Sequence, residues 1–323
     1  MKLGPGTGLD NGVVSIGRGR VMILTADPVS AIPGLGMSLS AWLSVHLIAS
    51  DYTTSGNDPE YAIFTYNFPP AMSRADREEY VRSVGMECDL LGVAIVGGHT
   101  GSYPGSGLTV IGSGSMLGFA SVRGFVAPSM ARVGDAIIMT KHAAIEATCS
   151  LATSFPAFVE SKVGAAYAKR ARGEVRSCTT VADARAARRV GMGIRGVTSM
   201  HDATEGGILG ALGEMAMASG KRFVVRPDLI PVTPESRAVC EAFGIDPLRT
   251  MGEGALLITC FPGKVPALRR ALSRSGVGCA DIGSVERGQG LVIRDSSGRG
   301  YSFASDGDAY WGAYERALVR KLQ

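Results

Sequence analysis

The chain has no paired-cysteine motif: Cys88, Cys149, Cys178, Cys240, Cys260 and Cys279 are widely spaced and form no CxxC. Neither a zinc site nor a disulfide framework is suggested, and most of these cysteines are expected to be buried thiols. It also has no basic block. Its 33 Lys and Arg exceed its 29 Asp and Glu by only 4, and they are scattered. Nucleic acid is therefore not the favoured partner, whereas a small anionic molecule suits the chain. No apolar run reaches membrane-spanning length and no signal-like hydrophobic region opens the sequence, so no membrane partner and a cytoplasmic location are expected. No tandem repeat or low-complexity tract appears.

What is present is an apolar, glycine-rich chain of 323 residues, 46% hydrophobic with 44 glycines, enough for two domains with many tight turns. The pattern breaks around Val126-Ala127-Pro128, which places the boundary between a domain over 1–127 and another over 128–323. In the first, 21–24 and 62–66 read as strands, and Leu39, Trp42, Leu43, His46 and Leu47 form a helical stripe. His46 on that apolar face is read as a packed core histidine rather than a ligand. A second helix is expected from Ser73, its N-cap, to about Leu91. In the second domain, 136–139 reads as a strand and about 158–190 as a helical region.

The richest segment is His201-Asp202-Ala203-Thr204-Glu205-Gly206-Gly207. A short strand over 196–200 precedes it, and Ile208, Leu212 and Met215 follow at helical spacing. A helix starting there points unpaired amides at whatever lies in front, so Thr204, Gly206 and Gly207 are candidate nucleotide-binding residues and Asp202 a candidate catalytic group. An ordinary capped helix with an acidic first turn accounts for the pattern equally well. Three further segments accompany it. The opening Gly4-Pro5-Gly6-Thr7-Gly8-Leu9-Asp10 is a flexible glycine-rich loop ending in a carboxylate. Asp27 follows a strand and Asp51 follows the apolar-striped helix. A buried-looking strand at 93–96 runs into Gly97-Gly98-His99-Thr100, whose glycines permit close approach of a ligand and whose histidine can bind phosphate, accept a proton or cap the turn.

Taken in order, these segments, with Gly134-Asp135 and Gly252-Glu253-Gly254, resemble the AIR synthetase-like superfamily over nearly the whole chain. The resemblance implies a two-domain α+β fold whose first-domain sheets pair into a barrel across a homodimer axis. It implies ATP held with magnesium in a carboxylate-lined cleft, with Asp10, Asp27 and Asp51 serving the metal, Gly6, Gly8, Gly97, Gly98, Thr100, Thr204, Gly206 and Gly207 serving the nucleotide, and His99 and Asp202 as catalytic candidates. The kinase branch of the superfamily usually has Asp where His99 stands, and Asp10-Asn11 replaces a paired acidic motif. The turn from Asp202 to Gly207 looks most like the hydrogenase-maturation dehydratase, although the sequence ends Arg320-Lys321-Leu322-Gln323 without that enzyme's carrier cysteine. No cysteine stands near the opening glycines, against selenophosphate synthesis. The expected function is ATP- and magnesium-dependent activation of a small oxygen-containing substrate by phosphoryl transfer. The alternative, motivated by His99 and Asn11, is a nucleotide-binding regulatory or assembly protein without turnover.

Overall fold

A computed structural model describes residues 3–32, 34–107, 109–295, 297, 300–303 and 307–322; Gln323 lies outside them. The first half runs β1 (Gly12–Gly17), β2 (Arg20–Ser30), α1 (Met37–Thr53), β3 (Tyr61–Phe68), α2 (Arg74–Leu91), β4 (Ala94–Ser102) and β5 (Val110–Ser121). The second half runs β6 (Ala136–Thr140), α3 (Ile145–Ser154), α4 (Pro156–Val163), α5 (Ala165–Gly173), α6 (Val181–Arg188), β7 (Val197–Asp202), α7 (Gly207–Ser219), β8 (Arg222–Val225), α8 (Pro234–Phe243), β9 (Leu256–Cys260), α9 (Val265–Arg274), β10 (Cys279–Glu286), β11 (Gly290–Arg294), β12 (Gly300–Phe303) and α10 (Tyr310–Val319).

Each half builds one mixed sheet. The first has strand order β1-β2-β5-β3-β4, antiparallel except for the β3–β4 pair. The second has order β12-β11-β8-β10-β6-β9-β7, antiparallel except for β11–β8. Strand alternation divides the first sheet into two faces. In β3, Ala62, Phe64, Tyr66 and Phe68 are buried, while Ile63 between them is exposed. The buried face packs on α1 and α2. The latter is half-solvated and offers only Tyr80, Val84 and Cys88, one residue per turn, to the core. Ser73 caps it by accepting from the Asp76 amide, as its sequence predicts, and Gly92 ends it in the left-handed conformation.

The first long helix, α1, is buried on most sides because it lies between the two halves. Ile48, Ala49 and Tyr52 belong to the core under the first sheet, and Trp42 and Leu43 to the core under the second. Truncating fully buried Ile48 to Ala is expected to cost about 2–5 kcal/mol. The His46 ring stacks on Trp42 at 4.2 Å and its Nδ1 lies 2.9 Å from Thr179 Oγ1, consistent with a core histidine. Burial, with Arg176 and Arg185 nearby, pulls its pKa down to about 4.

Several sequence expectations need correction. Asp27 lies within β2 and Asp51 within the last turn of α1, not beyond those elements. The region from 158 to 190 is broken at Gly164, whose φ is 84°, and again around Glu174–Ser177, into three α-helices and a 3-10 turn. The strand before Gly97 is not buried: it is a sheet edge, where only Val93 is covered and Ile95 and Val96 are exposed. Five of the six cysteines are buried thiols; among them, Cys149 and Cys178 approach to 3.6 Å between sulfurs without a bond.

Candidate active site

Carboxylates from both halves converge at the seam. From the first half come Asp10, at the end of the opening loop, Asp27 on β2 and Asp51 at the end of α1. The second contributes Asp202 at the end of β7, Glu253 in the turn before β9, and Glu146 in the first turn of α3. Ala144, just before α3, has a φ of 58°, a conformation that non-glycine residues rarely adopt and that sets the direction of this turn. Asp10, Asn11, Thr25, Asp51, His201 and Thr204 share the lining of a cleft of about 490 Å³ with Gly6, Gly8 and Glu214. The opening loop is seated rather than loose: a side chain at Gly8 would meet the backbone of Glu214 at 2.8 Å.

Electrostatics show how crowded the site is. Burial, and then Glu205, pushes Asp27 up to about 6. Burial and Asp10 raise Asp202 to about 7 against the opposing pull of His201. Burial, followed by Glu205, Asp27 and Asp308, raises Glu146 to about 8. Asp51 and Glu253 are held well above the usual carboxylate range by burial and by the Asp202 charge. Two like charges about 4 Å apart repel by roughly 4 kcal/mol even at an effective dielectric constant near 20, so such a cluster requires protons or cations. Buried oxygens Asp10 Oδ2, Asp202 Oδ2 and Glu253 Oε1 have no hydrogen-bond partner. Unsatisfied buried acceptors of this kind are suitable for metal coordination.

Neighbouring residues fix the frame. Thr25 Oγ1 donates to Asp51 Oδ2 at 3.1 Å. Asn11 Nδ2 donates to the Asp51 carbonyl and to Thr54 Oγ1, both at 2.8 Å. An aspartate at position 11 would oppose that carbonyl with a negative charge, so the amide has a structural task here. Lys141 Nζ donates to Asp183 Oδ2, the Thr179 carbonyl and the Gly254 carbonyl, tying down the turn that carries Glu253.

The sequence-predicted residues divide. Asp10, Asp51, Thr204, Gly6 and Gly8 meet in the cleft, and Asp27 and Asp202 join them electrostatically. His99 does not join them within this chain. It sits on edge strand β4, exposed, with Nε2 2.8 Å from Tyr103 Oη. Asp27, Gly114, Phe64 and Gly98 form one row across the sheet, so His99, next to Gly98, is three strands away, roughly 14 Å at about 4.8 Å per step. Gly97, Gly98 and Thr100 share that edge strand. Gly98 serves strand pairing, since a side chain there would lie 2.0 Å from the Phe64 carbonyl oxygen. The turn at 204–207 is held by contacts within the chain. The Gly206 amide is taken by Asp308 Oδ2 at 2.8 Å and that of Gly207 by the Thr204 carbonyl. The absent Gly207 side chain makes room for the Thr250 backbone, 2.6 Å from where a Cβ would lie. In this conformation the Gly206 amide is occupied by a side-chain carboxylate of the protein itself, and Gly207 packs on backbone.

Sequence reasoning missed Glu146, Glu214 and Asp308 as neighbours of the site. Glu146 left one trace, a lone acid in the apolar run Ala143-Ala144-Ile145-Glu146-Ala147. Asp308 left none, because it reaches Gly206 from 102 positions along the chain.

With this geometry in place, known proteins give a consistent picture. A family model for the C-terminal domain of AIR synthase related protein matches residues 132–296, and the model for its N-terminal domain matches residues 8–120. Carbamoyl dehydratase HypE of Bradyrhizobium diazoefficiens is 27% identical over 285 residues, 85% of this chain and 77% of that protein. The structure of HypE in complex with ATP aligns with a TM-score of 0.66 at 20% identity, covering 90% of this chain and 86% of that one. AaThiL complexed with AMPPCP and TMP aligns with a TM-score of 0.69 at 17% identity, covering 92% and 91%. These two likenesses show a shared fold.

Proposed function

Because this chain belongs to the AIR synthase related family, we propose that it is an ATP- and magnesium-dependent enzyme that activates a small oxygen-containing substrate by phosphoryl transfer. The observation that carries this is the convergence of buried carboxylates from both halves at the seam around Asp51, which lines the cleft, with oxygen atoms left unpartnered. Hard oxygen donors of this kind fit magnesium. Asp10, Asp27 and Asp51 are the residues to hold it, with Asp202 and Glu253 facing them across the seam. When bound, the ion offsets phosphate charge and orients the transferred group. HypE and AaThiL, with ATP and AMPPCP respectively, are consistent with nucleotide use on this fold.

The chain's own residues supply positioning and proton handling. Thr25 orients Asp51, Lys141 anchors the Glu253 turn, and the Gly6–Asp10 loop lines the cleft. At the seam end of β7, Asp202 presents a carboxylate suited to take a proton from a substrate oxygen. The domains divide at 127/128 in this proposal, and the protein acts in the cytoplasm; among the described residues no helix is long and apolar enough to cross a membrane. The outer face and edge of the first sheet expose Val14, Ile16, Ile63, Ile95 and Val96, and pairing of this face across a two-fold axis gives the homodimer barrel.

The test is ATP binding by calorimetry with and without magnesium, on the parent and on Asp51→Asn, together with ADP release across a metabolite panel. Magnesium-dependent binding that Asp51→Asn weakens at least tenfold is expected, with ADP release stimulated by one panel member. Binding indifferent to both changes refutes the site. ATP binding without substrate-dependent ADP release across the panel favours a regulatory or assembly protein.

A further inference from the structure

A second cavity, of about 590 Å³, is lined in large part by the segment that joins the two halves. That segment is pinned at both ends. The Val126 amide donates to the Ser55 carbonyl and Asn57 Nδ2 to the Gly124 carbonyl, both at 3.0 Å, while Ala131 is buried in the core of the second half. The cavity shares no lining residue with the carboxylate cleft. Thr198 on its wall and Asp202 in the seam stand near opposite ends of β7, about 13 Å apart at roughly 3.3 Å per residue.

The walls are apolar and the charge on them is of one sign. Val126 is buried, whereas Met130, Val133 and Ile194 stay exposed, Ile194 at 62%. Single exposed apolar side chains are ordinary on a protein surface, but three lining one concavity mark a binding site. Ile194 is held in place rather than loose. Its turn is closed by the Gly193 amide donating to the Val197 carbonyl at 2.7 Å and the Gly196 amide to the Gly193 carbonyl at 2.9 Å. Arg132 and Lys221 supply the charge. No carboxylate lines the cavity, and none of the ion pairs among the described residues uses either cation. Lys221 Nζ lies 3.4 Å from the Ser219 carbonyl, the long limit of a hydrogen bond. The neighbouring Asp135 is 4% exposed, and its Oδ2 accepts from the Arg132 amide and from Thr198 Oγ1.

We infer that this cavity binds a small organic anion, its apolar body against Val126, Met130, Val133 and Ile194 and its carboxylate or phosphate head met by Arg132 and Lys221. The volume falls within the range of about 300–1,000 Å³ typical of small-molecule sites, which combine mostly apolar walls with a few polar groups. The planar guanidinium of Arg132 matches either head through paired hydrogen bonds, and Lys221 adds a mobile point charge. Binding here requires neither the carboxylate cleft nor a nucleotide.

The test titrates the full chain with anilinonaphthalene sulfonate, an apolar ring system bearing one anionic group, and follows its fluorescence. One saturable site per chain is expected, displaced by hexanoate or hexyl phosphate but not by hexanol at the same concentration. Stronger displacement by hexanoate supports a carboxylate ligand, and stronger displacement by hexyl phosphate a phosphate monoester. Ile194→Asp and Lys221→Glu are each expected to weaken probe binding by roughly 10-fold or more, the first by removing apolar wall and the second by reversing a charge. Magnesium-dependent ATP binding by the same samples should be unchanged. Thermal melts establish that each variant is folded, and Val133→Asp takes the place of Ile194→Asp if that variant does not fold. Parent-like probe affinity in either folded variant, equal displacement by hexanol, or displacement of the probe by ATP with magnesium overturns the inference.

Discussion

Replacing Asp27 by Asn should make the metal-free protein more stable at alkaline pH. Asp27 has its pKa raised from 3.8 to about 6 by burial and by Glu205. The folded state therefore keeps a proton, between roughly pH 4 and 6, that the unfolded chain has already released. Its contribution is fully present below about pH 4 and is lost as pH rises through about 6. A rise from 3.8 to about 6 corresponds to roughly 3 kcal/mol, so at pH 8 the ionised carboxylate weakens the fold by about that much relative to its protonated form. The amide in Asp27→Asn carries no charge at any of these pH values. With an unfolding entropy of about 2.1 cal/mol/K per residue, about 3 kcal/mol over 323 residues raises Tm by roughly 4 °C. Calorimetric melts in EDTA at about pH 4 and pH 8 measure this. The variant should gain about 4 °C at pH 8 and almost nothing at pH 4, while added magnesium should stabilise the parent more than the variant. Equal melting temperatures at pH 8 in EDTA, or the same advantage at both pH values, refute the reasoning.

Asp308→Ala should cost about 1–3 kcal/mol in urea unfolding, because it strands the Gly206 amide and the Thr250 hydroxyl that the carboxylate now accepts from; an unchanged midpoint refutes that role. The parent should be a dimer by light scattering at micromolar concentration, and Val96→Lys on the exposed β4 edge should yield a folded monomer. A parent that is monomeric throughout that range contradicts sheet pairing.

The elements around the site were legible because local chemistry determines them. Ser73 and Gly92 bracket α2 through capping, and β3 alternates because one of its faces is buried. Asp10, Asp51 and Thr204 reached the cleft as expected because each sits in or beside an element end facing the seam. The reading of β4 failed because a run such as Val93 to Val96 is apolar whether it lies in the middle of a sheet or at an edge waiting for a partner, and strand order is not written locally. His99 lies on that edge strand, away from the cleft within this chain. The double glycine at 206–207 was informative about backbone shape but silent about what uses that shape. The bond from Gly206 to Asp308 and the packing of Gly207 on Thr250 arise only when distant segments meet.

The placement of charge sets the two halves against each other at the seam. Asp10, Asp27 and Asp51 belong to one half, and Glu146, Asp202 and Glu253 to the other, so their mutual repulsion pushes the halves apart. Apolar packing opposes it, with Trp42 and Leu43 of α1 inserted into the core of the second half. The His201 contact with Asp10 adds an attraction across the same seam: burial alone would pull the imidazole's pKa down, but the Asp10 charge and the Glu214 hydrogen bond hold it well above its ordinary value. A cation bound between the halves, as proposed, would offset the remaining repulsion and stabilise the folded chain as RT ln(1 + L/Kd), where L is the free cation concentration.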